Sequence, residues 1–342
     1  MGSSGEQDGS VALRTCGCGA PARRLCDVCD RAAAPFAACS LACLDRHLAE
    51  AHAGDEAARG DSATRAAAAL KLLNRRFSDS RERYQEHRRQ LMALALASAP
   101  QDRPARDIAV FGAGNGSDLD LPALAERFPK VHLYDLDEEA LERARQSLPP
   151  SLREQVILHA PVDLSGFLGR LDEWGAAFPD GATLERAAAD WARTLVGALQ
   201  GGYDVVLSAC VLSQLVTPFH RAWITTQANW DRLGWAITVV HLATLVGSLR
   251  PGGRAVLAVD VLSSREAPDL PTWAGRSTDQ LDRLVQEKVA AGTMALHLPP
   301  QALMDQLRPF GPILRDLRAT PFWLWTLRDA TLLVYALQFQ RA

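Results

Sequence analysis

Apolar and polar positions alternate along this chain in two distinct periods. Short, nearly continuous apolar runs occur at Ile108 to Phe111, Val131 to Tyr134, Val156 to Ala160, Tyr203 to Ala209 and Arg254 to Asp260, and they read as strands. Helix-compatible segments separate them: Leu121 to Phe128, Glu138 to Ser147, Glu185 to Leu199, and the long stretch Val211 to Leu249. Amphipathic helices are expected at Ser277 to Ala291 and Pro300 to Leu307. Two β-rich runs close the chain, Ile313 to Leu327 and Ala330 to Gln340, joined by a tight turn near Arg328-Asp329. Ahead of the first strand, Ala63 to about Ala99 is helix-forming, with a break near Ser78-Asp79-Ser80. Leu70, Leu73, Phe77, Tyr84, Leu91 and Leu94 fall near one face of it. Strands alternating with helices predict an α/β fold with a doubly wound sheet.

The first strand ends on three glycines, Gly112-Ala113-Gly114-Asn115-Gly116, and the second ends on Asp135-Leu136-Asp137. Strand, glycine turn, helix and a strand closing on a carboxylate make the first half of a nucleotide-binding unit. Glycines let backbone approach a ligand with no Cβ in the way. A carboxylate at the second strand's tip can accept both hydroxyls of a ribose. The dinucleotide fingerprint G-x-G-x-x-G is not met, because its third glycine position is Ser117. A pyrophosphate cradle is therefore disfavoured.

Composition narrows the class. With 342 residues the chain can hold a large core and more than one domain. Hydrophobic content of 48% and charged content of 23% are those of an ordinary globular protein. A formal net charge of −3 supplies no global basic field for nucleic acid. No apolar run reaches the roughly 18 residues of a membrane span, and the polar start lacks the basic and apolar regions of a signal peptide. A cytoplasmic protein is expected. The excess of Arg over Lys and the abundance of Ala hint at a GC-rich bacterial genome.

Six of the seven cysteines lie in the head, as Cys16-Gly-Cys18, Cys26-Asp-Val-Cys29 and Cys39-Ser-Leu-Ala-Cys43, followed by His47 and His52. Eight soft or borderline ligands in paired spacing suit two tetrahedral Zn²⁺ sites. Disulfides are the alternative, disfavoured in a reducing compartment. The order of pairs resembles MYND and HIT-type zinc fingers. That resemblance implies interleaved sites, with Cys16, Cys18, Cys39 and Cys43 on one zinc and Cys26, Cys29, His47 and His52 on the other. The first pair is C-x-C rather than C-x-x-C, and the last ligand is His52 rather than the usual Cys. Such zincs are structural, and fingers of this type bind protein partners or pack on their own catalytic domain. A head this short would draw much of its stability from metal.

The glycine turn with Asp135 resembles motif I of class I S-adenosylmethionine (SAM) methyltransferases. The run Tyr203 to Leu215 resembles their motif IV, and Leu249-Arg-Pro251-Gly-Gly253 their common turn before the fifth strand. The resemblance covers residues 107 to 342 by order of elements. It implies a seven-stranded sheet with antiparallel sixth and seventh strands. It implies SAM across Gly112, Ala113, Gly114, Asn115 and Gly116, with its ribose on Asp135 beside Leu136. The adenine would lie near Asp163 and Leu164, and the backbone of Ser208, Ala209 and Cys210 would lie near the reactive methyl. Asp163 could instead cap a turn, and Cys210 could be a small core hydrophobe. Many members carry an acidic residue two places before the first glycine, where this chain has Val110. Asp118, Asp120 or a lid residue would have to replace it.

His220 and His241 are candidate general bases, because imidazole titrates near neutrality. His241 lies in an apolar run and could be a core residue. Tyr84 and the cluster Arg81, Arg83, Arg88 and Arg89 are candidate lid contacts, or a packed tyrosine beside a solvated arginine face. The domains expected are a tail (1–14), a zinc finger (15–53), a linker with helical collar (54–105) and a methyltransferase domain (106–342). The expected activity is methyl transfer to an O- or N-nucleophile of a protein, peptide or small-molecule acceptor, carrier-bound natural products included. RNA is disfavoured by charge. A SAM-binding interaction module without turnover and a non-methylating use of SAM are the other readings.

Overall fold

The computed structural model describes residues 24–25, 37–38, 47, 60–78, 80–222, 227–290, 298–328 and 330–342. The chain divides into two compact units, one of residues 1–69, 168–178 and 218–229, the other of residues 70–167, 179–217 and 230–342. In the first, strands β1 (Arg24–Leu25) and β2 (Ala37–Ala38) pair antiparallel. Ser62 Oγ donates to Asp172 Oδ1 at 2.5 Å, and Arg65 Nη2 donates to Ser62 Oγ at 3.0 Å. Of the eight residues expected on zinc, His47 alone is described, on helical backbone; the other seven lie outside the described residues. Among the described residues no three metal-ligating side chains converge. No described helix is long and apolar enough to cross a membrane.

The helix-forming stretch before the first strand breaks where expected, into α1 (Ser62–Arg76) and α2 (Gln85–Ala97). The second unit then runs β3 (Asp107–Phe111), α3 (Leu121–Arg127), β4 (Lys130–Tyr134), α4 (Glu138–Gln146), β5 (Val156–His159), α5 (Gly181–Ala198) and β6 (Tyr203–Ala209). Helices α6 (Leu212–Ala222) and α7 (Gln227–Ser248) lead to β7 (Leu249–Ser263). Helices α8 (Thr278–Ala290) and α9 (Pro300–Leu307) precede β8 (Leu314–Ala319), β9 (Trp323–Thr326) and β10 (Thr331–Arg341). Strand order is β5-β4-β3-β6-β7-β10-β8, with β9 also on β10. β3 to β7 are parallel, and β10 is antiparallel to β7, β8 and β9.

The sheet therefore has eight strands rather than seven. The run Ile313 to Leu327 is two strands, interrupted at Thr320-Pro321, where proline supplies no N–H to a ladder. Also, β8 is antiparallel to β10 and so runs with the parallel block; β10 alone reverses against it.

The period-2 alternation sorts side chains to two faces. Ile108, Val110, Val205 and Leu207 pack with Leu91, Met92, Leu121, Leu124 and Leu141 of α2, α3 and α4, all in one buried cluster. The opposite face carries Phe111 and Ser208, paired in register across β3 and β6, and both meet His241 of α7. Val110, two places before the first glycine of the turn, is fully buried in the first of these faces.

One loop tests the packing sharply. Gly166 has φ +78°, and a Cβ there would lie 1.5 Å from Trp191 Cδ1. Gly166→Ala must strain the backbone and displace the indole. It is expected to cost about 3 kcal/mol, read as a fall in the thermal midpoint.

Candidate functional site

The chain leaves β3 toward β4 and β5, then returns to β6 and β7 on the other side. The carboxyl ends of β3 and β6 therefore flank the switch point, where an open α/β sheet has its crevice. Gly112 to Gly116 follow one of these strands and Cys210 the other.

Each glycine of the turn has positive φ: +73° at Gly112, +47° at Gly114 and +64° at Gly116. At Gly112 a side chain is also sterically barred, because a Cβ would fall 2.4 Å from Val211 Cβ. The turn is fastened to the neighbouring strand. Gly112 N donates to Tyr134 O (2.9 Å) and Gly114 N to Asp135 Oδ2 (2.9 Å). Asp135 Oδ1 also accepts from Asp137 N at 2.9 Å. Burial raises the Asp135 carboxyl, opposed by these N–H donors and reinforced by Asp137. Each carboxylate oxygen keeps a second acceptor site for a ligand hydroxyl.

Distant residues brace the turn. Asn74 of α1 donates to Asp137 Oδ2 (3.1 Å), and Asn115 Nδ2 donates to Asn74 O. Arg143 of α4 donates from Nε to Asn115 Oδ1 (3.1 Å). From the start of α2, Arg88 donates to Ser117 O (2.7 Å), and nearby Arg81 to Leu119 O (3.2 Å). Arg88 and Arg81 thus hold the segment after the glycines by its carbonyls. Nothing in their local spacing signals that role.

Two further carboxylates face the crevice. Asp118 is half-buried, and burial pushes it up to about 7, with Arg88 opposing and Asp135 adding to the rise. Asp260, near the end of β7, is pushed up to about 6 by burial while Ser213 Oγ donates to it at 2.7 Å. Both bear on Cys210, whose thiol burial and these two charges hold well above its usual range. Cys210 has φ 49° and is 1% exposed. It is a protonated, buried thiol and no nucleophile. Asp260 was invisible as a site residue in sequence, because its neighbours Ser213 and Cys210 come from α6 and from the end of β6.

Other expected residues take different places. His241 is fully buried, its Nε2 at 2.8 Å from Ser208 Oγ, and burial pushes it down to about 4. It is a core residue with no access to an acceptor, which corrects its reading as a base. Ser208, also fully buried, turns its hydroxyl to that face. Tyr84 is buried edge-on against Trp325, with ring centroids 5.1 Å apart. It packs in the core rather than serving as a catalytic or lid group. Asp163 Oδ1 accepts from Ser165 N (2.9 Å) and Ser165 Oγ (2.6 Å), so the capping role is present. Val162 N nonetheless donates to Asp135 O at 3.0 Å, which keeps this loop beside the crevice. Leu136 is half-buried and Leu164 buried. The side chain of His220 lies outside the described residues.

No protein-family profile matches the chain. A stretch of 111 residues is 32% identical to the magnesium-protoporphyrin O-methyltransferase of Rhodobacter capsulatus, covering 32% of this chain and 49% of that protein. The chain thus spans about half the length of this curated relative. Among solved structures it is similar to an O-methyltransferase family protein from Burkholderia thailandensis. That match is 15% identical, covers 86% of this chain and 63% of that one, and has a TM-score of 0.35. It is also similar to a SAM-bound amino pentose methyltransferase from Micromonospora echinaspora. There the identity is 20%, the coverage 51% and 50%, and the TM-score 0.28. The doubly wound α/β architecture stands on its own strand order, and the sequence likeness to a methyltransferase is confined to a third of the chain.

Proposed function

We propose that this chain is a SAM-dependent methyltransferase acting on an O- or N-nucleophile of a small-molecule or peptide acceptor. The observation that carries the reading is the Gly112–Gly116 turn locked onto Asp135 at the switch point, in a crevice with Asp118 and Asp260 and with Arg88 as the neighbouring cation. Such a crevice favours a ligand that brings ribose hydroxyls and positive charge together. The likeness to a curated methyltransferase supports the same reading.

When bound, SAM supplies an electrophilic methyl group on a sulfonium and leaves as S-adenosylhomocysteine. The chain's part is to position and to exclude water. Asp135 accepts the ribose hydroxyls, and the glycines admit the cofactor backbone-close. Asp118 offsets positive charge on the methionyl part. Asp260, hydrogen-bonded by Ser213, would take the proton from an O–H or N–H nucleophile held beside it. Because Asp260 is held near 6, its carboxylate fraction grows between pH 5 and 7, and turnover should rise over that window. The test is calorimetric titration with SAM and S-adenosylhomocysteine. Micromolar binding is expected, and absence of binding to folded protein sinks the proposal.

We assign two structural zincs to the Cys16–His52 head on its ligand spacing. Metal analysis of the purified chain should give two zinc per chain. Chelation should unfold the head and leave the affinity for S-adenosylhomocysteine within about twofold, since the cradle residues lie in the second unit.

A further inference from the structure

The amino ends of the strands, opposite the crevice, carry a second concavity. Arg103, Pro104 and Arg106 lead into β3, and Arg250 and Pro251 open β7; together they line a depression of about 420 Å³. That volume lies within the range of small-molecule sites, roughly 300–1,000 Å³. β6 runs from this end of the sheet to the crevice, and its seven residues set the two places roughly 20 Å apart.

The three arginines gather on one buried carboxylate, Asp204 of β6. Arg103 Nη2 donates to its Oδ1, Arg250 Nε lies 3.1 Å from the same oxygen, and Arg106 N donates to Oδ2 at 2.7 Å. Arg250 Nε also donates to Gly202 O at 2.9 Å, and Arg103 Nη1 to Pro104 O at 3.3 Å. Two guanidiniums are thus held in place from one side. The side chain of Arg106 is exposed and makes no hydrogen bond or ion pair to the described residues.

Asp204 does not need three arginines. One guanidinium and the Arg106 amide already pair it, and a buried carboxylate is tolerated once paired and hydrogen-bonded. Three guanidiniums against one carboxylate leave two positive charges in excess in one depression. Asp102, which also bears on Arg103, is exposed, and solvent screens it. Guanidiniums held together without a counter-charge repel one another, and an anion relieves that repulsion. The excess matches a phosphate monoester, which carries about −1.5 to −2 charges at pH 7 and three acceptor oxygens for guanidinium forks. Pro104 and Pro251, rigid and without an N–H, offer apolar walls to the rest of such a ligand.

We propose that this depression is an anion site for a phosphate monoester, held by Arg103, Arg106 and Arg250 and separate from the cofactor crevice. The site stands whether or not the crevice binds SAM. A free phosphorylated molecule and a phosphatidic acid headgroup present the same group, and experiment separates them.

The full chain is titrated by calorimetry with phenyl phosphate and with benzoate, an aromatic monoanion. Phenyl phosphate should bind with a submillimolar Kd, about tenfold tighter than benzoate. Arg106→Ala should leave the thermal midpoint in place and weaken phenyl phosphate by about tenfold. Arg106→Lys keeps the charge without the fork and should recover part of that loss. Arg193→Ala removes an exposed arginine of α5 and should leave the affinity unchanged. Sedimentation with phosphatidylcholine vesicles containing phosphatidic acid is the second arm. Capture that Arg106→Ala abolishes makes the ester a headgroup, and no capture makes it a free molecule. Equal affinity for phenyl phosphate and benzoate overturns the proposal, as does an equal loss in Arg106→Ala and Arg193→Ala. Displacement of phenyl phosphate by S-adenosylhomocysteine also overturns it, by placing the phosphate in the crevice. So does no binding of either phenyl phosphate or the vesicles. Failure of S-adenosylhomocysteine to bind overturns the cofactor reading alone.

Discussion

Asp135→Ala is expected to weaken binding of SAM and S-adenosylhomocysteine by about 100-fold or more, measured by calorimetry on the folded protein. Two losses combine. A ribose would lose charge-assisted hydrogen bonds worth about 1.5–3 kcal/mol each. The glycine turn would also lose its fastening, because Gly114 N and Asp137 N both donate to this carboxylate. The cost to stability is smaller than the cost to binding. Burial raises the Asp135 carboxyl, so the native fold already bears the expense of an ionised group there, and removing it offsets part of the lost hydrogen bonding. Asp135→Asn separates the terms. It keeps one acceptor oxygen and sets an NH₂ against one of the two backbone donors, so it should bind more weakly than the native protein and retain most of its thermal stability. Affinity unchanged in the alanine variant would remove Asp135 from the site.

The second large effect concerns Asp118, whose replacement by asparagine should stabilise the unliganded protein and weaken the liganded one. Its folded pKa, about 7, lies above the ordinary carboxyl value of 3.8. A group raised in this way contributes stability that is complete below the unfolded pKa and is lost as pH rises through the folded one. The unliganded protein should therefore lose stability between pH 4 and 7, with Asp260 adding to the loss up to about 6. Each pKa unit is worth about 1.4 kcal/mol, discounted here because Asp118 is partly solvated, so about 1–3 kcal/mol is expected. Asp118→Asn removes its share, and the thermal midpoint at pH 8 should rise by several degrees (roughly 2–4 °C per kcal/mol). A cationic ligand reverses the balance by favouring the carboxylate. SAM binding to the native protein should release protons at pH 6.5, seen as a dependence of binding enthalpy on buffer ionisation. Asp118→Asn should abolish that release and bind about tenfold more weakly. Stability given up for a charged site is a common trade at functional centres. A variant that is neither more stable at pH 8 nor altered in proton release would show that Asp118 is solvated and idle.

Much of the fold could be read before any coordinates. The five parallel strands fall on the five apolar runs, because a strand buried on both faces must be apolar throughout. The helices between them start and stop within a few residues of expectation, with Asp120, Asp137 and Asp180 as the caps of α3, α4 and α5. The glycine turn and its carboxylate were equally legible. Their chemistry is local: positive φ and an acceptor at a strand's tip are properties of a few adjacent residues. The run Ile313 to Leu327 reads as one strand in sequence because its apolar positions continue past Thr320-Pro321, and hydrogen bonding rather than hydrophobicity divides β8 from β9.

The order of elements, the switch-point turn and the carboxylate that closes it are thus local properties, written in neighbouring residues. Which polar residues join them depends on long-range packing. Asn74, Arg88, Arg143 and Asp260 reach one crevice from four separate elements, and no periodicity within any of them marks the residue that does so. That packing also decided which candidates are withdrawn. His241 and Tyr84 have side chains suited to catalysis, but their ionisation and reach depend on burial. Burial is set by the whole packed sheet, because solvation is lost to neighbours that are distant in the chain.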